Sequence, residues 1–85
     1  MDRRRSEAAV LMDVLDVALN DAKVTHLMYK ANLSYSTLRK YLSIALDKGL
    51  IVKVHNSDGD GVYRTTKKGR EFLAKLKHIN DCLYG

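Results

Sequence analysis

Ser34-Tyr35-Ser36-Thr37-Leu38-Arg39-Lys40-Tyr41-Leu42-Ser43-Ile44-Ala45-Leu46-Asp47-Lys48-Gly49 is the stretch on which the reading of this chain turns. Ser34 is a good N-cap, because its hydroxyl can accept one of the backbone N–H groups that a helix start leaves unpaired. Leu38, Leu42, Ala45 and Leu46 follow at i, i+4, i+7 and i+8, which places one apolar stripe on the helix. Gly49 falls where a left-handed residue ends such a helix, and Lys48 suits the negative end of its dipole. What remains faces outward: Tyr35, Ser36, Thr37, Arg39, Lys40 and Ser43. These side chains donate hydrogen bonds to phosphates and base edges, and no acid joins them before Asp47. An ordinary solvated face would mix Glu with Lys.

Upstream, residues 6–19 carry Val10, Leu11, Val14, Leu15 and Ala18 at helical spacing, until Asn20 and Asp21 break the pattern. A short helix is expected over residues 25–31, with Thr25 as its N-cap and Leu27 and Met28 pointing inward, and Asn32 and Leu33 then turn the chain. Downstream, residues 50–55 and 61–65 are rich in Val, Ile, Tyr and Thr. The intervening Asn56-Ser57-Asp58-Gly59-Asp60 is turn chemistry, so the pair predicts a β-hairpin. Thr66 should cap a last helix over residues 67–83 or 84. The expected fold is α+β and mostly α, ordered α-α-α-β-β-α, as a single domain over residues 1–85. Its second and third helices make a helix-turn-helix, whose second helix is of a size to enter the major groove.

Three stretches carry a resemblance. Leu33 to Leu42, then Leu46-Asp47-Lys48-Gly49-Leu50-Ile51, resemble a winged-helix recognition helix entering the first wing strand. Tyr63-Arg64-Thr65-Thr66-Lys67-Lys68-Gly69-Arg70-Glu71-Phe72-Leu73 resembles the second wing strand and the start of the next helix. His26-Leu27-Met28-Tyr29-Lys30-Ala31-Asn32-Leu33-Ser34-Tyr35 is the most specific, and resembles archaeal winged helix-turn-helix DNA-binding proteins, among them small dimeric regulators and chromatin-associated dimers joined by a C-terminal coiled coil. The resemblance spans roughly residues 5–80. It implies a double-stranded DNA partner, with Tyr35, Ser36, Arg39, Lys40 and Ser43 toward the groove and Ser34 and Thr37 at the same helix end. It further implies Lys23 and Lys30 as phosphate clamps, with Lys53 and Arg64 flanking the wing. Asp58 and Asp60 depart from that pattern, since acids at the wing tip would repel phosphates.

Charge agrees with a polyanionic partner. The net charge is +5 and the pI near 9.5. Residues 23–54 hold six Lys/Arg against Asp47 alone, so the positive charge concentrates around the candidate helix. At 85 residues the chain buries only about 60% of its unfolded surface, which leaves its own core marginal and favours a partner subunit. The first helix is apolar over most of its circumference, with Asp13, Asp16 and Asn20 on one narrow arc. Phe72, Leu76, Ile79 and Leu83 are spaced 4-3-4, like a coiled-coil seam. Together with Leu11 and Val14 they form the expected homodimer interface, built on a C-terminal dimerisation helix. The same pattern would arise if both helices packed on each other within one chain.

Other chemistries find little support. His26, His55 and His78 are far apart and are read as lacking a nearby acid or thiol set, so neither metal nor cofactor is expected. Cys82 is the sole cysteine, which excludes an internal disulfide and fits a reducing, cytoplasmic setting, where the DNA partner implied by the resemblance would place the chain on the nucleoid. It reads as a small hydrophobe, with no base in view to make it a nucleophile. Gly59 and Gly61 supply turn conformations and lack the context of a phosphate-binding loop, so an enzyme is not expected. No apolar run approaches the ~18 residues of a membrane span. Arg3 to Arg5 fit a solvated terminus or an arm on the DNA backbone. A sequence-selective regulator, an architectural chromatin protein and a winged-helix protein-interaction module all remain compatible with these residues.

Overall fold

The computed structural model describes residues 6–55 and 61–84. Helix α1 (Glu7–Val17) continues into a 3₁₀ turn (Ala18–Asn20), followed by α2 (Val24–Ala31), α3 (Tyr35–Asp47), β1 (Ile51–His55), β2 (Gly61–Thr65) and α4 (Lys67–Tyr84). This is the mostly helical α-α-α-β-β-α order expected from sequence. The wing tip with Asp58 and Asp60, and the Arg3–Arg5 segment, lie outside the described residues.

Local chemistry sets most boundaries. Ser6 opens α1 by accepting from Ala9 N at 3.1 Å, and Ser34 opens α3 by accepting from Thr37 N at 3.2 Å. Helix α3 ends in paired reverse bonds, Leu50 N to Ala45 O at 2.8 Å and Gly49 N to Leu46 O at 3.1 Å. Gly49 stands between them at φ 72, the left-handed conformation that a Cβ disfavours. Asn32 repeats the device after α2 at φ 55, with Leu33 N bonded to Met28 O and Asn32 N to Tyr29 O. The turn between the two helices of the motif is therefore held by backbone bonds.

The start of α2 corrects one expectation. Helix α2 begins at Val24, and Lys23, not Thr25, occupies the cap position without a side-chain cap bond. The cause lies in Ala22. Its N–H and C=O exchange bonds of 3.0 and 2.8 Å with Tyr63, so the extended segment ends one residue before the helix begins. Strands β1 and β2 pair antiparallel from Ile51↔Thr65 to His55↔Gly61, and Ala22 adds one bridge on the other edge of β2.

Val10, Val14 and Leu15 from α1, Leu27 from α2 and Leu38 and Leu42 from α3 meet Leu50, Ile51 and Tyr63 of the wing in one core. Thr65 is the sole buried polar side chain among the described residues, and its hydroxyl donates to Leu15 O at 2.7 Å. Val14 is fully buried there and cannot serve the dimer surface expected of it. The apolar breadth of α1 is mostly used inside the chain, because α2, α3, α4 and β2 all contact it. Leu11 and Phe72 are half-buried against the same core.

Candidate nucleic-acid interface

The outward face of α3 is set by subtraction. Leu38, Tyr41, Leu42 and Ala45 are buried, which leaves Tyr35, Ser36, Arg39, Lys40 and Ser43 exposed and Thr37 half-buried. At about 100° per residue, Ser36, Lys40, Ser43 and Asp47 fall within one narrow arc, with Arg39 beside it. The stripe is basic and hydroxylic over its first two turns and acidic only at its far end. A polyanion is accordingly best accommodated at the N-terminal half of α3, where the free N–H groups add partial positive charge.

Three hydroxyls of this face are already engaged. Ser34 Oγ accepts from Thr37 N, donates to Thr37 Oγ1 at 3.0 Å and lies 3.4 Å from Ser36 Oγ. Their first task is to hold the helix start. The cations are held differently. The Arg39 guanidinium lies 5.9 Å from the Tyr35 ring centroid one turn back, and the Lys40 ammonium 5.6 Å from that of Tyr41. Such stacking contributes about 0.5–1 kcal/mol at exposed sites and narrows the positions the cation samples. Lys30 is exposed in the last turn of α2, and Lys23 is exposed at its start. Lys53 is exposed on β1, its ammonium 5.9 Å from the ring of its cross-strand partner Tyr63.

Arg64 differs from the others. Its Nε and Nη2 donate to Asp21 Oδ1 and Oδ2, each at 2.7 Å, in a two-pronged pair across the Ala22–Tyr63 bridge. Asp21 sits at φ 52, a conformation rare for a residue other than glycine, which carries its carboxylate alongside β2. The hydrogen bonds and charge of Arg64 hold the Asp21 carboxyl below the ordinary carboxylate range, and the guanidinium is raised in turn. The fork that sequence assigned to DNA flanking thus has a carboxylate on it. Asp21 was legible in sequence only as a helix breaker.

This pair has a testable pH signature. Because the folded carboxyl is depressed, its contribution is complete above the ordinary carboxylate value and is lost as pH falls through the lower folded value. Arg64→Gln should therefore move the Asp21 titration, followed by its carboxyl carbon shift in NMR, upward toward the ordinary value. A midpoint that stays put in the variant would mean that the pair does not form in solution.

The expected dimer residues separate. Leu76, Ile79 and Leu83 line a shallow groove of about 100 Å³ between α1 and α4, with Ala8, Ala9 and Met12 on the opposite wall. Ile79 and Leu83 are 53% and 67% exposed. Lys77 Nζ and Asp16 Oδ1, 3.1 Å apart, tie the same two helices. One grouping went unforeseen: His78 and Cys82 lie side by side on α4, with Nε2 and Sγ 3.8 Å apart. The i, i+4 spacing is present in the sequence, and the contact corrects the expectation that His78 lacks a nearby thiol. Among the described residues, no helix is long and apolar enough to cross a membrane.

Comparison with known proteins agrees with this geometry. A family model described as winged helix-turn-helix matches residues 4–83. An uncharacterized protein of Methanocaldococcus jannaschii is 33% identical over 82 residues, which cover 95% of this chain and 36% of that protein, so the chain spans little more than a third of its relative's length. Among solved structures, Sso10a-2, a DNA-binding protein from Sulfolobus solfataricus, superposes with a TM-score of 0.82 at 23% identity, over 94% of this chain and 86% of that one. The transcriptional regulator BldR from Sulfolobus solfataricus superposes with a TM-score of 0.80 at 17% identity, over 87% of this chain and 55% of that one. Likeness at such identities speaks to the fold, and the family match covers nearly the whole sequence. The chain belongs to the winged helix-turn-helix family.

Proposed function

We propose that this protein binds double-stranded DNA as a homodimeric transcription regulator, with the N-terminal half of α3 in the major groove. The observation that carries the reading is the exposed face of α3, where Arg39, Lys40 and Ser43 stand together without an acid over two turns, beside Lys30 on α2. The major groove admits an α-helix, and Arg39 is a residue type that reads the guanine edge with two hydrogen bonds. Lys23 and Lys30 supply phosphate contacts on one flank and Lys53 on the other. Ser34 and Thr37 act chiefly by presenting the helix start, since their hydroxyls bond each other. Relatives of the same fold described as a DNA-binding protein and as a transcriptional regulator support the assignment. The mechanism needs no catalytic group or cofactor: binding alone would occupy a promoter, on the nucleoid in the cytoplasm.

Selection of duplexes from a random library, followed by competition of the winner against mixed sequence at fixed salt, tests the reading directly. A winner preferred by about 10³-fold or more supports a regulator. Equal binding of all duplexes points instead to an architectural protein, and no binding at all points to a protein-interaction module. Two substitutions then separate readout from charge. Arg39→Ala should cost about 1–3 kcal/mol and relax preference at one base pair. Lys30→Ala should weaken every duplex alike and flatten the salt dependence by about one unit. If neither moves binding in a folded protein, this face of α3 is not the interface.

A further inference from the structure

We propose that His78 and Cys82 form a two-ligand chelate for a borderline or soft d-block cation, zinc(II) being the physiological member of that class. The two residues are four apart on α4, so they share one face on consecutive turns. Cys82 Sγ and His78 Nε2 are 3.8 Å apart, and both side chains are exposed. Zinc–sulfur bonds of about 2.3 Å and zinc–nitrogen bonds of about 2.0–2.1 Å, at a tetrahedral angle, separate the two ligand atoms by about 3.6 Å. The pair already stands within a few tenths of an ångström of that bite. Thiolate with imidazole is the donor set preferred by zinc(II), cobalt(II) and cadmium(II) over magnesium or calcium. A cation entering between them replaces their weak sulfur–nitrogen hydrogen bond, and the thiol proton passes to solvent.

The described residues hold no group of three or more His, Cys, Asp or Glu able to surround an ion. The chelate therefore leaves about two tetrahedral positions to water or to an outside ligand, and the cation exchanges readily. Its structural effect is local. Closing a ring between residues 78 and 82 clamps the helical turn that carries Ile79 and precedes Leu83, the two exposed apolar residues at the rim of the α1–α4 groove. Cation binding thus firms the part of α4 most open to solvent.

The experiment is a titration of the full chain with cobalt(II), under a phosphine reductant that does not compete as a thiol. The expected result is a thiolate-to-cobalt charge-transfer band with intense visible bands of four-coordination, saturating at one cobalt per chain and erased by excess zinc(II). Zinc(II) should also slow hydrogen exchange of the α4 amides around residues 78–82. Cys82→Ser should abolish the charge-transfer band, and His78→Ala should remove the four-coordinate signature together with the exchange protection. Both residues are exposed, so helical circular dichroism should remain that of the parent. His26→Ala and His55→Ala should titrate like the parent. The proposal is overturned if the parent gives no band at excess cobalt(II), if His78→Ala titrates unchanged, or if His26→Ala or His55→Ala removes the signal instead.

Discussion

Gly69→Ala should destabilise the chain by on the order of 3 kcal/mol or more, enough to consume most of the stability of a domain this small. Gly69 is buried in the first turn of α4, where its N–H donates to Thr66 Oγ1 at 3.0 Å. A Cβ built there overlaps the Leu50 carbonyl oxygen and comes within 2.7 Å of Thr65 Cγ2. Neither neighbour can give way easily. Leu50 O accepts from Thr66 N at 3.0 Å, Thr66 Oγ1 donates to Gly49 O at 2.7 Å, and the Thr65 hydroxyl is committed to Leu15 O. The clash thus falls on the junction where α3, β1, β2 and α4 are knotted together. Helix propensity works in the opposite direction, since alanine is favoured over glycine by about 1 kcal/mol in a helix interior. The net sign therefore reports the clash alone.

Gly49→Ala makes the internal comparison. There a Cβ meets nothing within 4 Å, and the difficulty is the positive φ of 72. That conformation costs an L-residue about 1–2 kcal/mol. Urea or thermal denaturation of the two variants should place Gly69→Ala well below Gly49→Ala, with the former unfolded at moderate temperature. The reverse order would show that the strand–helix junction yields to a methyl group.

The two glycines also show what could be read from sequence and what could not. Gly49 was legible, because a left-handed helix end is a local matter of backbone conformation and neighbouring residues. So were the Ser34 and Thr66 caps and the hairpin, each decided by a few consecutive residues. Gly69 gave no such sign, because its constraint is a carbonyl nineteen residues away. The Ala22–Tyr63 bridge and the Asp21–Arg64 pair were hidden for the same reason: they join segments more than forty residues apart. Asp21 next to Asn20 reads as a helix stop, and nothing local says that its carboxylate will lie beside β2. The basic stripe on α3 was legible, since helical periodicity separates Leu38, Leu42 and Ala45 from Arg39, Lys40 and Ser43, but Leu46, expected on the apolar face, is exposed and Tyr41 is buried there instead. Val14 was misassigned because an all-round apolar helix does not reveal which neighbours belong to its own chain.

With Val14 inside, the proposed homodimer would have to rest on fewer residues, and Ile79→Asp becomes its sharpest test. Ile79 and Leu83 are the large apolar side chains exposed on α4 among the described residues, and Leu76, Met12 and Ala8 continue that surface across the groove. In a twofold interface every residue appears twice, so one substitution places two carboxylates in the contact. A buried charge without a partner costs several kcal/mol, and here the penalty is doubled by symmetry while the monomer, in which Ile79 is exposed, loses little. In such a dimer, two recognition helices on one palindromic site would gain from each other's local concentration by about 10²–10⁴-fold. Ile79→Asp should forfeit that factor on the full palindrome and bind an isolated half-site as the parent does. Sedimentation would follow the change in mass directly. A parent that sediments as a folded monomer at micromolar concentration, or a variant that keeps full affinity for the palindrome, would show that α4 ends in solvent and that a single α3 reads the DNA alone.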